Sequence, residues 1–402
     1  MISKESVNYS LRNLKHKKTR SIFTIISILV GITTIFIFVS FGLGLYKYIG
    51  ELSSASSADK VLIQPKGLGG MDPTFSFSED ELEVVEHTSG VYEATGVYFK
   101  SAEIQKGKVK KYTYVIAYDP KKPLIMDVFN INIEIGRELQ PGDESAVVGY
   151  NYLLEDKIFS KSYELNDNIE INGKKVKIIG FYGPVGNPAD DAQVYVTNDF
   201  IKELYPNETL PYNWIVAKVD VSNLEKITKD IERNLRKERN LEEGKEDFFV
   251  QSFDDMIESY SMILDIVIGF IILIALISVL VSAVNTANTM ITSVLERVKE
   301  IGVIKSIGGE NSEIFKIFLF ESSFLGFVAG VLGVLFGLII SFAGGKILAS
   351  LGYGFLQPYF SPWLFLGCIV FATLTGAISG VLPAIKASKI NPVDALRYEW
   401  NE

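Results

Sequence analysis

Four apolar stretches constrain this 402-residue chain more than any other feature: roughly Ile22 to Leu45, Ile266 to Met290, Ile314 to Phe342 and Trp363 to Ile385. Each is near or above the ~20 residues an α-helix needs to cross a hydrocarbon core ~30 Å thick. A core helix of a soluble protein does not account for four such runs bounded by polar loops. The lysines before Arg20 resemble the basic start of a signal peptide, with Ser56-Ser57-Ala58 as a cleavage site. The first run is longer than the ~7–15 residues of a signal-peptide core, so it reads as an anchor that stays.

Lysine and arginine near the span ends set the expected orientation. Lys4, Arg12, Lys15, Lys17, Lys18 and Arg20 precede the first span, and Arg297, Lys299 and Lys305 lie between the second and third. Lys386, Lys389 and Arg397 follow the fourth, whereas Ser350 to Pro362 has none. The positive-inside rule therefore places both termini and residues 293–312 in the cytoplasm, and the block from 47 to about 262 outside. Tyr46, Tyr48, Tyr359, Phe360 and Trp363 fall where the outer aromatic belt is expected.

The expected fold class is an integral membrane α-helical protein with four transmembrane helices and a large α+β extracytoplasmic domain inserted between helices 1 and 2. Residues 1–20 read as a cytoplasmic amphipathic helix, 21–46 as the first span and 47–262 as the outer domain. The second span is 263–292, a cytoplasmic coupling segment is 293–312 and the third span is 313–345. An outer loop (346–362), the fourth span (363–386) and a cytoplasmic tail (387–402) complete the chain, which is expected in the cell membrane with the bilayer as one partner.

Charge separates these parts. Residues 47–260 hold 25 Lys and Arg against 38 Asp and Glu, a net −13, whereas the remainder holds 14 against 10, a net +4. The overall −9 argues against a nucleic-acid partner, which would require a basic stripe to displace phosphate counterions. The single cysteine, Cys368, lies in an apolar run, and the two histidines, His16 and His87, are far apart. A disulfide framework, a metal site and Ser-His catalysis are all disfavoured.

Within the outer block, Val61-Leu62-Ile63 reads as a strand. Ser78-Glu79-Asp80-Glu81 is a capping box opening a short helix that fades at Ser89-Gly90, with His87 at its end, where a cationic side chain suits the dipole. Val97 to Gln105 and Lys110 to Tyr118 alternate around Lys106-Gly107 as a hairpin, and Asn168 to Gly180 forms a second around Asn172-Gly173. Gln193 to Thr197 and Trp214 to Val219 are further strands, and Asn223 to Asn240 is a charged amphipathic helix. Gly67 to Gly70 and Gly183 to Gly186 lack the Lys-Ser/Thr of a phosphate-cradling loop. Asp190-Asp191 and Asp254-Asp255 are paired carboxylates, and because adjacent side chains point apart they read as solvated surface. Nothing in this block reads as catalytic; it is expected to touch another protein or hold an apolar or peptide ligand.

Between the second and third spans, Val294, Val298 and Ile301 share one helix face while Glu296, Arg297, Lys299 and Glu300 hold others. Gly308-Gly309 ends that helix and Asn311 is placed to cap the next. From the residues alone this is either a connector in the headgroups or a docking helix for a partner's groove.

The run Glu296-Arg297-Val298-Lys299-Glu300-Ile301-Gly302-Val303-Ile304-Lys305-Ser306-Ile307-Gly308-Gly309 resembles the signature of MacB/FtsX-like ABC transporter permeases. Phe318-Leu319-Phe320-Glu321 with the glycines after it is similar to that family's third span, and Pro383 through Arg397 to its C-terminal motif. Leu11-Arg12-Asn13-Leu14, Gly136-Arg137-Glu138-Leu139 and Ile169 to Gly180 extend the resemblance over essentially the whole chain. The resemblance implies a non-catalytic permease subunit that dimerises with a second permease copy, as a homodimer or a heterodimer, driven by separate cytoplasmic ATPase subunits. No G-x-x-x-x-G-K-[ST] occurs, so ATP and Mg2+ are expected on that partner and no cofactor in this chain. It further implies mechanotransmission: closure of the ATPase is felt at Glu296, Arg297, Glu300, Ile301, Gly302, Lys305 and Gly308 and delivered to the outer domain, for export or release of an unknown substrate. The alternative is a non-transporting regulator that uses the same motion to control an outer hydrolase or signalling partner.

Gly326, Gly330, Gly333 and Gly337 share one face of span three and admit close helix packing, either inside the subunit or at a dimer interface; Gly376 and Gly380 repeat the device in span four. Glu321 lies about two turns into span three and needs a partner, Lys316 or the coupling segment.

Overall fold

A computed structural model describes residues 18–55, 58–66 and 76–397. The expectations for the N-terminal basic helix before Lys18, for Ser56-Ser57, for Gly67 to Gly70 and for the tail beyond 397 lie outside them. In chain order the first elements are α1 (Lys18–Ala55), β1 (Lys60–Pro65), α2 (Glu79–Glu86), β2 (Val91–Lys106), β3 (Val109–Tyr118), α3 (Leu124–Val128), β4 (Ile133–Gly136) and β5 (Ser145–Val148). They are followed by β6 (Asn168–Ile171), β7 (Lys174–Tyr182), β8 (Val194–Thr197), α4 (Asn198–Leu204), β9 (Trp214–Val219), α5 (Leu224–Glu238) and β10 (Phe248–Ser252). The C-terminal elements are α6 (Phe253–Glu296), α7 (Val298–Ser306), α8 (Asn311–Ser350), α9 (Pro362–Ser388) and α10 (Pro392–Arg397).

Helices α1, α6, α8 and α9 are long and apolar enough to cross a membrane. The chain is thus an integral membrane protein with an α+β domain inserted between its first and second transmembrane helices. It divides into a helical unit (Met1–Leu45, Ile263–Ile347 and Leu356–Glu402) and a sheet unit (Tyr46–Met262 and Leu348–Phe355). The helices overrun their apolar stretches where capping sequence allows. Helix α6 begins well before Ile266 because the Ser252 hydroxyl accepts the Asp255 N–H (3.1 Å) and the Asp255 carboxylate accepts the Ser252 N–H (3.1 Å).

In the helical unit, Ile28, Ile32 and Phe36 of α1 pack on Ala329 and Val334 of α8 and on Cys368 and Ala372 of α9. The glycines of α8 serve two neighbours. A Cβ on Gly326 would lie 2.5 Å from the Ala372 carbonyl and one on Gly330 2.8 Å from the Ala372 Cβ, both on α9. Those on Gly333 and Gly337 would meet Ile32 and Phe36 of α1 at 3.0 and 2.8 Å. Gly376 and Gly380 return the α9 contact toward Ser322. Helix α6 instead leaves Ile266, Phe270, Leu273, Ile277, Leu280 and Val284 exposed, an apolar face that suits lipid.

The sheet unit is built on one ten-stranded sheet in the order β10-β1-β9-β2-β3-β8-β5-β7-β4, with β6 pairing β2 and β7. Among the described residues only β3/β8 and β5/β7 run parallel. Strand alternation divides two cores: Val61, Ile63, Val115, Ala117, Ile215 and Ala217 face one, and Leu62, Ile116 and Val216 the other. Both faces are therefore apolar, the first covered by α2, α4 and α5, the second by α3 and the first turns of α6.

Local signals resolve as follows. Ser78 and Glu81 form the expected capping box, and His87 is the C-cap of α2. Asn172 and Gly173 (φ +48° and +82°) make the β6–β7 hairpin, both in the left-handed region that a two-residue turn of this hand requires. The first hairpin turns one residue later than expected, on Gly107-Lys108, because Lys106 pairs with Val109 and only Gly107 takes a positive φ, +64°. Asp254 and Asp255 are exposed. Asp190-Asp191 is not a solvated pair: Asp191 is 4% exposed and accepts the N–H groups of Val185 (2.7 Å) and Gly186 (3.1 Å). A short 3-10 turn over Asp190–Ala192 folds the loop back so that both carboxylates serve it, Asp190 accepting from the Asn187 (2.8 Å) and Gln193 (3.0 Å) amides.

The segment Leu348–Phe355 belongs to the sheet unit. There the Phe355 N–H donates to Gly186 O (3.3 Å), and the Tyr48 and Phe355 rings lie 5.8 Å apart.

Candidate functional site

Helix α6 stops at Glu296 because Arg297 leaves helical geometry (φ −111°, ψ 15°), and α7 starts afresh at Val298. Two turns later Gly308, at φ +102°, takes a left-handed conformation that disfavours a side chain, and the Gly309 N–H closes back on Ile304 O at 2.9 Å. Asn311 is the first residue of α8 rather than its cap; the carbonyl of Glu310 receives the Glu313 N–H (3.1 Å).

The break at Arg297 changes which residues face inward. Arg297 was expected on a polar face, yet it is 5% exposed. Restarting the helix at Val298 turns its side chain onto α8, where Nη1 lies 3.1 Å from Glu321 Oε2 and the guanidinium sits 5.0 Å over the Phe318 ring. Nε also reaches Glu300 Oε2 at 3.2 Å. Glu321, itself 5% exposed, thus finds its partner in the coupling segment and not in Lys316. Two charges removed from water are tolerated where, as here, each meets an opposite charge at hydrogen-bond distance.

The remaining candidates divide between an inner and an outer face. Ile301 is 2% exposed and packs with Val294, Met290, Ile314, Phe318 and Ala384. Gly302 is buried, and a Cβ there would lie 2.7 Å from the Ala395 Cβ, so α10 lies tightly along α7. Lys305 donates to Ser388 O (2.9 Å) and Ile390 O (2.6 Å), satisfying carbonyls at the end of α9. Glu296, Glu300 and Gly308 are exposed, as is Lys299.

Sequence reasoning missed the apolar part of the outer face. Val303 (52% exposed) on α7 and Ile307 (82%), its C-cap, are exposed, as are Val393 (59%) and Leu396 (52%) on α10, the helix packed along α7. Val303 and Ile307 sit at an i, i+4 spacing that was legible, but the contribution of α10 depends on its packing along α7. Among the described residues no group of three or more His, Cys, Asp or Glu is placed to hold a metal ion. The arrangement has no reacting group at its centre; chemically it presents an apolar, charge-rimmed surface on a backing fastened to three long helices.

Residues 272–392 match the family model described as FtsX-like permease C-terminal, and residues 21–234 the one described as MacB-like periplasmic core domain. An uncharacterized ABC transporter permease of Methanocaldococcus jannaschii, MJ1507, is 31% identical over 98% of this chain and 98% of its own length. The uncharacterized ABC transporter permease YvrN of Bacillus subtilis is 27% identical over 98% of this chain and 100% of its own. The macrolide export ATP-binding/permease protein MacB of Neisseria gonorrhoeae is 26% identical over 98% of this chain, which spans 61% of that relative's length.

Proposed function

The chain belongs to the ABC transporter permeases that join a MacB-like periplasmic core domain to an FtsX-like C-terminal domain, and from that premise we propose that it couples ATP hydrolysis by a separate cytoplasmic ATPase to motion of its sheet unit, for export or release of a substrate. In this reading both termini and residues 293–312 face the cytoplasm, supported by the lysines and arginines at those span ends. ATP and Mg2+ are held by the partner, and this chain converts the partner's closure into displacement of helices.

The observation that carries the reading is the patch of Val303, Ile307, Val393 and Leu396. These residues lie on or cap two short helices outside the transmembrane spans, with the exposed charges of Glu296, Lys299 and Glu300 close by in the chain, and exposed apolar side chains of that kind suit burial in a partner's groove. Behind the patch, the Arg297–Glu321 pair fastens the segment to α8 and Lys305 fastens it to α9, so a push on α7 reaches three spans together. Because α6 has the least cover within the helical unit, the reading places a second permease copy along it.

Co-purification with the ATPase tests the docking surface. In full-length chain, Ile307→Asp combined with Leu396→Asp is expected to lower complex recovery and stimulated ATP hydrolysis by about tenfold or more, the scale of burying two charges in an apolar groove. Tyr112→Asp, exposed on the sheet unit, should change neither. Full recovery of both properties in the double variant would refute the assignment.

A further inference from the structure

On its second face the sheet unit encloses a cavity of about 260 Å³ between the sheet, α3 and the start of α6. Phe99 and Trp214, with ring centroids 4.5 Å apart, and Phe129, 6.2 Å from Trp214, form an aromatic wall; Met126 and Met256 add flexible apolar surface.

One side of the cavity is polar, and among the described residues Asp190 is the only charged one lining it. Its two oxygens each accept one amide N–H, from Asn187 and Gln193, which leaves about half of a carboxylate's acceptor capacity unused. Among the described residues no lysine or arginine pairs with this half-buried carboxylate, and its immediate neighbour is a buried one, Asp191. Burial first, and Asp191 after it, hold the Asp190 carboxyl above its usual range. The same two charges add to burial in pushing up the phenol of Tyr195, another lining residue. The field at this wall is therefore negative. A second, independent feature is the indole N–H of Trp214, which is buried without a hydrogen-bond partner. A carboxylate with spare acceptor capacity and an unmet donor on an aromatic cavity describe the complement of a ligand, since a buried polar group costs stability until something meets it.

We propose that this cavity binds an amphipathic organic cation, its ammonium against Asp190, its apolar body between Phe99, Phe129 and Trp214, and an acceptor atom of the ligand taking the Trp214 N–H. The ring faces add attraction for the same charge. The site lies wholly within the sheet unit and does not depend on what drives the permease.

Calorimetric titration of phenylbutylamine into the full chain in nanodiscs, with empty nanodiscs subtracted, tests this. Phenylbutanol and phenylbutyrate share its body and differ in the head group. The amine is expected to bind saturably, one per chain, about tenfold or more tighter than the alcohol, with no binding of the carboxylate. Asp190→Asn should bring the amine down to the alcohol's affinity, and Ile131→Trp, which fills the cavity, should abolish binding of both. Thermal unfolding of each variant shows whether it is folded. Equal affinity for amine and alcohol, binding of the carboxylate, an undiminished amine affinity in Asp190→Asn, persistence in folded Ile131→Trp, or no saturable binding would each overturn the proposal.

Discussion

Arg297 and Glu321 meet across the break between α6 and α7, Nη1 to Oε2 at 3.1 Å, with side chains 6% and 7% exposed. One residue interrupts a helix; the other lies inside the next span. Their pairing braces the corner against the third span.

Removing one partner takes a buried charge contact from the other. Glu321→Gln is expected to cost about 3 kcal/mol of stability, the low end for a broken buried pair because Glu300 still reaches Arg297. Arg297→Met with Glu321→Leu should recover most of that loss. Unfolding in nanodiscs measures both, and a double variant no more stable than Glu321→Gln would show that the cost lies in packing rather than in an unpaired charge.

Glycines separate cleanly by what lies beside them. A Cβ on Gly44 would sit 1.7 Å from the Gln357 carbonyl, next to the Tyr359 N–H to Ser40 O bond of 2.8 Å, so Gly44→Ala must push α1 off that segment, at about 2 kcal/mol. Nothing lies within 4 Å of a Cβ on Gly269 in α6. Gly269→Ala should gain up to about 1 kcal/mol through helix propensity. Comparing the two melting temperatures checks the contrast, and a loss in Gly269→Ala would reveal a close neighbour supplied by another chain.

Acid sensitivity has an identifiable source in the sheet unit. The Arg236 guanidinium, 2.8 Å away, with the Gly244 N–H, holds the Glu246 carboxyl down at about 2. The folded value is depressed, so the stability it contributes is present above the ordinary 4.5 and is lost as pH falls toward 2. Glu246→Gln should therefore unfold earlier than the parent at pH 7, with the difference closing below 4.5. A gap independent of pH would point to lost hydrogen bonds alone.

Asp190 should behave with the opposite sign. Its folded value is raised above 3.8, chiefly by burial, so the carboxyl favours the fold below 3.8 and opposes it increasingly as pH rises through the folded value. Asp190→Asn is expected to raise the melting temperature at pH 7, the gain fading toward pH 4. Stability scans over that range decide it, and a destabilised variant at pH 7 would mean that the bonds to Asn187 and Gln193 outweigh the charge.

Much of the architecture was legible because it rests on local pattern. Four apolar runs specify four spans, Ser78 and Glu81 a capped helix, and Asn172-Gly173 a hairpin, each from residues within a few positions. What was not legible depends on distant partners. Arg297 looks solvent-facing until the helix breaks beside it and brings it to Glu321. Asp191 looks like surface until its loop folds back over Val185 and Gly186. The pairing of β1 with β10 joins Val61 to Ser252, and no local spacing announces it. For the same reason the aromatic cavity, whose walls come from Phe99, Met126, Tyr195, Trp214 and Met256, had no signature in the sequence.

That strand pairing also bears on how such chains diversify. The sheet unit is entered through β1 and left through β10, and the two are hydrogen-bonded neighbours, with β10 passing into α6 without an intervening residue. An insertion whose two ends lie side by side behaves as a cassette: its far strands and loops can lengthen, shorten or be replaced while the distance between the points of attachment stays fixed. Selection can then act on the cassette alone, leaving the helices that carry it to be inherited unchanged.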